Sequence, residues 1–135
     1  MPNLRFHHLG LAVKAPVPAQ AFLSALGYSW GREVYDPLQA VNLLMCSHES
    51  MPDVELIWPG AGPSPVNNML KKRDGLVYHM CYITDDLRTA LAFMERKGLR
   101  LMPVGEPKKA VLFNQKPVSF YYVDGVGLIE IIHEN

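Results

Sequence analysis

An internal repeat constrains this chain more than any other feature. Ala21-Phe22-Leu23-Ser24-Ala25-Leu26-Gly27-Tyr28 resembles Ala92-Phe93-Met94-Glu95-Arg96-Lys97-Gly98-Leu99, 71 residues further on. The same offset carries His8 onto His79. His8-Leu9-Gly10-Leu11-Ala12-Val13 and His79-Met80-Cys81-Tyr82-Ile83-Thr84 both read as strands of β-forming residues that lead into a helix. Each copy closes on an apolar strand holding one carboxylate, Val54-Glu55-Leu56-Ile57 and Leu128-Ile129-Glu130-Ile131-Ile132, with the glutamates 75 residues apart. The extra four residues read as a longer loop in the second copy. The chain has 135 residues, one domain's worth. Each copy is therefore too small to be stable alone.

Each copy reads as strand, helix, three strands. In the first, a strand covers about 5–13 and a helix about 18–26, and strands follow near 29–36, 39–47 and 53–58. Pro16 and Pro18 punctuate the helix start and Gly27 ends it. In the second, a strand near 76–84 precedes a helix capped by Asp85 and ended by Gly98. Strands near 99–103, 109–113, 117–123 and 127–133 complete it. Between the copies, Pro59-Gly60-Ala61-Gly62-Pro63 is a linker. Ser64 then caps a short helix with Pro65 at its first position, running to about Lys72. The expected organisation is a single domain, 1–135, with one module over about 4–59, a linker helix within about 60–74 and a second module over about 75–135.

Composition narrows the function. Hydrophobic residues make up 49% and charged residues 19%, so a buried core is available. Thirteen Lys and Arg cancel thirteen Asp and Glu, and a neutral chain lacks the electrostatic footprint for nucleic acid or an anionic membrane. The only dense basic run, Lys71-Lys72-Arg73, reads as a solvated helix end. No apolar stretch approaches the roughly twenty residues of a membrane span. The N-terminus lacks the apolar run of a signal peptide. Cys46 and Cys81 each sit in an apolar run, which suits buried, reduced thiols in a cytoplasmic protein.

The chemistry rests on the repeat. A carboxylate is expensive to bury unless it is paired or metal-bound, and Glu55 and Glu130 each stand in a strand whose two faces are otherwise apolar. By strand alternation His8 shares its face with Gly10 and Ala12, a cleared space, while Leu9, Leu11 and Val13 pack the other face. A lone strand histidine is usually structural and a lone strand glutamate usually faces solvent. Four donors at matching places of a repeat resist that explanation. Nitrogen and oxygen donors without thiolate suit Zn, Mn, Co, Ni or Fe(II). His7 and His133 have the wrong strand parity, and His48 lies in a polar turn and is expected to be solvated. Tyr121 and Tyr122 face opposite ways, so one of them could reach a cavity.

These residues resemble the vicinal oxygen chelate superfamily of glyoxalase, bleomycin resistance and dioxygenase proteins, and within it the methylmalonyl-CoA epimerase-like branch. His8-Leu9-Gly10-Leu11-Ala12-Val13 is similar to that branch's opening His-Ile-Gly-Ile-Ala-Val. Glu55-Leu56-Ile57-Trp58-Pro59 resembles its Glu/Gln-Leu-Leu-x-Pro. Ser64-Pro65-Val66, Leu70-Lys71-Lys72, Gly75-Leu76-Val77-Tyr78-His79-Met80 and Gly127-Leu128-Ile129-Glu130 resemble further motifs in the same order. The resemblance implies an α+β fold of two tandem βαβββ modules whose mixed sheet forms a cup, or half-barrel. It implies one divalent metal held by His8, Glu55, His79 and Glu130, with Glu130 also the proton shuttle. The implied function is an isomerase, epimerase or lyase acting on a small carbonyl compound or acyl thioester such as an acyl-CoA, in a homodimer. The alternatives in the superfamily are a non-catalytic resistance-type binding protein and an Fe(II) dioxygenase. One departure stands out. The epimerase pattern has Gln-Gly-Val-x-Glu in the third strand, its glutamate being one of two bases, and this chain has Gln39-Ala40-Val41-Asn42-Leu43. The segment between Pro107 and Pro117 also lacks the glycines expected in the epimerase.

Overall fold

A computed structural model describes residues 3–134. Their elements run β1 (Arg5–Val13), α1 (Pro16–Ala25), β2 (Ser29–Trp30), β3 (Val34–Asp36), β4 (Val41–Ser47), β5 (Val54–Pro59) and α2 (Pro65–Met69). There follow β6 (Gly75–Thr84), α3 (Leu87–Arg96), β7 (Leu101–Pro103), β8 (Lys108–Ala110), β9 (Lys116–Val123) and β10 (Gly127–His133). The chain divides into two compact units. One is His8–Tyr78, and the other joins the residues up to His7 to those from His79 onward. No helix among the described residues is long and apolar enough to cross a membrane.

In the His8–Tyr78 unit, β1 pairs in parallel with β5, β5 pairs antiparallel with β4, and β2 and β3 both pair antiparallel with β4. One sheet face carries Leu11, Val13, Val54, Leu56, Trp58, Leu44 and Cys46, which pack with Leu23 and Ala19 of α1. Burying this face supplies the driving force for the unit. The opposite face carries His8, Gly10, Ala12, Glu55, Ile57, Leu43 and Met45, as the register Gly10↔Glu55, Leu43↔Ile57 and Met45↔Glu55 requires. The strand expected over 29–36 is two short pieces, because Gly31-Arg32-Glu33 leaves the pairing and β2 and β3 meet different parts of β4.

The second unit repeats this plan. β6 pairs in parallel with β10, β10 antiparallel with β9, and β7 and β8 both antiparallel with β9. Tyr121, Ile129 and Ile131 pack beneath Leu87 and Leu91 of α3. Cys81, Ala110, Val118 and Ile132 form the core of the other face. The strand expected over 109–113 stops at Ala110, and Val111–Phe113 turn into a 3₁₀ helix. That turn delivers the chain to Asn114 and Gln115, both in left-handed conformation, before β9 begins.

Both long helices end on a glycine with positive φ, Gly27 at 97° and Gly98 at 79°, so the repeat preserves the helix stop as well as the strands. The cap of α3 is one residue later than expected. Asp86, not Asp85, accepts from the Thr89 backbone N–H at 3.0 Å and from the Thr89 hydroxyl at 2.6 Å. Those bonds hold the Asp86 carboxyl below its ordinary pKa. The linker helix ends at Met69, short of Lys72. Its Ser64 hydroxyl donates to the Asn67 side chain at 2.9 Å rather than accepting from the backbone.

Candidate metal centre: two histidine–glutamate pairs

Each unit brings one histidine and one glutamate together. In the first, His8 Nε2 lies 3.6 Å from Glu55 Oε1. In the second, His79 Nε2 lies 3.2 Å from Glu130 Oε1. The local register explains both. β1 and β5 run in parallel with Gly10 opposite Glu55, so the histidine two residues earlier on the same face reaches the same carboxylate. β6 and β10 repeat this with Cys81 opposite Glu130, and Cys81 stands 71 residues after Gly10. The two pairs are thus copies at the level of backbone register, not only of sequence.

All four side chains are buried, His8 at 0%, Glu55 at 4%, His79 at 3% and Glu130 at 4% exposure. That degree of burial decides against the solvent-facing reading of the two glutamates. A buried carboxylate persists when paired, hydrogen-bonded or bound to a cation. Each unit offers one imidazole nitrogen and one carboxylate, donor types that suit a divalent ion of the borderline class.

The neighbours of these pairs are apolar. In the first unit Met45 lies across β4–β5 from Glu55, and Leu43 lies across from Ile57. In the second, Phe120 lies across β9–β10 from Glu130 and meets the His79 ring edge-on at 5.6 Å. Phe120 thereby limits the rotation of that imidazole. From the sequence, Met45 reads as part of an apolar core strand with Leu43 and Leu44, and Phe120 gives no signal; the register is what puts each across from a glutamate.

The remaining candidates sort by face. Tyr121 belongs to the core beneath α3, and Tyr122 is exposed opposite Leu128. His133 also lies on the α3 side, with Nε2 2.9 Å from the Ser119 hydroxyl, and burial lowers its pKa. His7 packs edge-on against Phe113 at 5.2 Å. His48 differs from expectation, since it is a structural clamp and not a solvated turn residue. Its Nδ1 accepts from the Ser50 and Met51 backbone N–H groups at 3.0 and 3.2 Å. Its Nε2 must then carry the proton it donates to the Leu26 carbonyl at 2.9 Å. Cys46 is fully buried and its thiol is pushed up to about 11 by desolvation, which leaves it inert.

The departure from the epimerase pattern has a structural counterpart. Ala40, where the pattern has glycine, sits at φ 55°, a conformation that favours glycine. The turn before it is fixed by buried Asp36, which accepts from the Leu38 N–H and the Gln39 side chain, each at 2.9 Å. The Ala40 carbonyl accepts from Gly60 N–H at 3.1 Å. Leu43 is buried on the Glu55 face, and Asn42 points the other way and donates to the Pro59 carbonyl at 3.3 Å. No acid or base replaces the missing glutamate at that position.

Comparison with known proteins agrees with this fold. The chain is 28% identical over 120 residues to an ethylmalonyl-CoA/methylmalonyl-CoA epimerase of Cereibacter sphaeroides, covering 87% of each. It is 28% identical over 131 residues to the mitochondrial methylmalonyl-CoA epimerase of Bos taurus, covering 94% of this chain and 73% of that one. The crystal structure of methylmalonyl-CoA epimerase from Mycobacterium tuberculosis shares the fold, with a TM-score of 0.81 at 18% identity, over 100% of this chain and 91% of that one. Residues 7–120 match the profile of the Glyoxalase/Bleomycin resistance protein/Dioxygenase superfamily, and the chain belongs to that superfamily.

Proposed function

We propose that this protein is a divalent-metal-dependent isomerase of acyl-CoA thioesters, with His8, Glu55, His79 and Glu130 as one ligand set. The observation that carries the reading is the pair of buried His–Glu couples held in the same strand register. The names of its relatives favour epimerisation over lyase chemistry. A bound cation would supply a Lewis acid for the oxygens of a carbonyl substrate.

This chain's own residues do the rest. His8 and His79 would hold the ion through neutral imidazole nitrogens, and Glu55 and Glu130 would balance its charge. Glu130 takes the proton from the carbon next to the thioester carbonyl and gives it back. The apolar walls, Met45 in one unit and Phe120 in the other, keep water from the reacting carbon. Leu43 supplies no second base on the Glu55 face. Return of the proton to the face it left gives hydrogen exchange without inversion. We therefore expect hydrogen exchange to outrun epimerisation.

Metal-loaded protein incubated with methylmalonyl-CoA in heavy water tests this. Deuterium should enter at the α-carbon faster than the epimer forms, and chelation should stop both. A protein loaded with metal that exchanges no α-hydrogen of any CoA thioester contradicts the reading.

A further inference from the structure

Lys71, Lys72 and Arg73 are three exposed cations in succession on a chain of zero net charge. The helix before them does not need them. α2 has five residues, and its Val66 and Asn68 carbonyls accept from the backbone N–H groups of Leu70 at 3.1 Å and Lys71 at 3.4 Å, with no cation side chain involved. No side chain neutralises them either. Asp74, the nearest acid in sequence, reaches Lys14 at 3.9 Å, and none of the three cations enters an ion pair among the described residues.

The cations also line a cavity of 310 Å³ together with Asn68, Met69 and Leu76. The lining divides into three cationic groups, one amide and two apolar side chains. That combination suits a ligand with several phosphate oxygens and a flat apolar ring. The platform is anchored, because Val66 and Leu70 of the α2 segment are buried and α2 packs on β5, the strand that carries Glu55.

We infer that Lys71, Lys72 and Arg73 hold the phosphorylated nucleotide of the CoA thioester, with Met69 and Leu76 as a wall for its base. This rests on the acyl-CoA reading above and extends it to the part of the substrate remote from the chemistry. Charge-assisted bonds to phosphate are among the stronger polar contacts, and they fix where the rest of a long substrate lies.

Direct titration tests it without turnover. Adenosine 3′,5′-bisphosphate, CoA and pantetheine are titrated into wild-type protein and into the K71Q/K72Q/R73Q variant, with circular dichroism as the check on folding. The variant should bind the bisphosphate and CoA at least about tenfold more weakly. Its affinity for pantetheine, which lacks the nucleotide, should not change. Lys72→Gln alone should show a smaller loss of the same pattern, which guards against misfolding of the triple variant. Failure of the wild type to bind the bisphosphate, or equal affinity in wild type and variants, overturns the inference. Exchange of a CoA thioester's α-hydrogen together with equal affinities would sink this inference and leave the acyl-CoA reading standing. Bisphosphate binding through the cluster with no thioester turned over would do the reverse.

Discussion

Leu43 and Ile57 lie opposite each other across β4–β5, on the sheet face that carries Glu55. A carboxylate at position 43 would share that face with Glu55, one pair of residues further along the strands. The epimerase-like pattern places its second base there, and a leucine moves no proton.

Leu43→Glu should therefore restore inversion. In metal-loaded protein the ratio of epimerisation to α-hydrogen exchange should rise by about a hundredfold, the lower end of the range for a positioned acid–base group. Burying a new carboxylate should lower the melting temperature at the same time. A folded, metal-loaded variant with an unchanged ratio would show that inversion does not depend on this position.

Ala40 is strained where a glycine would not be. Ala40→Gly should raise stability by about 0.5–1 kcal/mol, since relief of the left-handed conformation outweighs the added freedom of the unfolded chain. The urea midpoint measures it, and a lower midpoint would contradict the φ of 55° as a source of strain.

Much of this was legible in the sequence. The offsets that align His8 with His79 and Glu55 with Glu130 come from the internal repeat, and strand alternation then sets the face that His8 shares with Gly10 and Ala12. They led to the repeated strand–helix–three-strand order and to the residues of the two buried pairs, and the family resemblance supplied the fold. What stayed hidden was local. An alanine does not itself announce positive φ at position 40; the resemblance puts a glycine there, and the bonds that Leu38 N–H and the Gln39 side chain donate to Asp36 hold the turn before it. His48 lies among polar residues and reads as solvated, yet backbone donors from its own turn capture its ring. The cap moves from Asp85 to Asp86 because Thr89 is in reach of the latter, a choice between two identical residues that spacing alone leaves open.

His133 gives the stability a pH dependence. Burial lowers its pKa in the folded protein, so just below the ordinary histidine value the unfolded chain takes up the proton more readily. Stability should then fall as pH drops through about 6.5 and below. His133→Gln should lose less stability than wild type between neutral and mildly acidic buffer. Equal losses in urea midpoint would remove His133 as the source.

Cys46 should resist alkylation. With its thiol pushed up to about 11, it carries about two orders of magnitude less thiolate than an ordinary cysteine at pH 8. Mass spectrometry after iodoacetamide should find the Cys46 peptide unmodified in native protein and modified in urea. Equal rates in the two states would contradict its burial.

Metal content tests the central claim most directly. Purified protein reconstituted with a divalent ion and freed of excess should hold about one ion per chain by elemental analysis. His8→Ala and Glu130→Ala, one from each unit, should each lose most of it while remaining folded by circular dichroism. Wild-type protein that retains no ion, or variants that retain as much as wild type, would show that these four residues are not one ligand set.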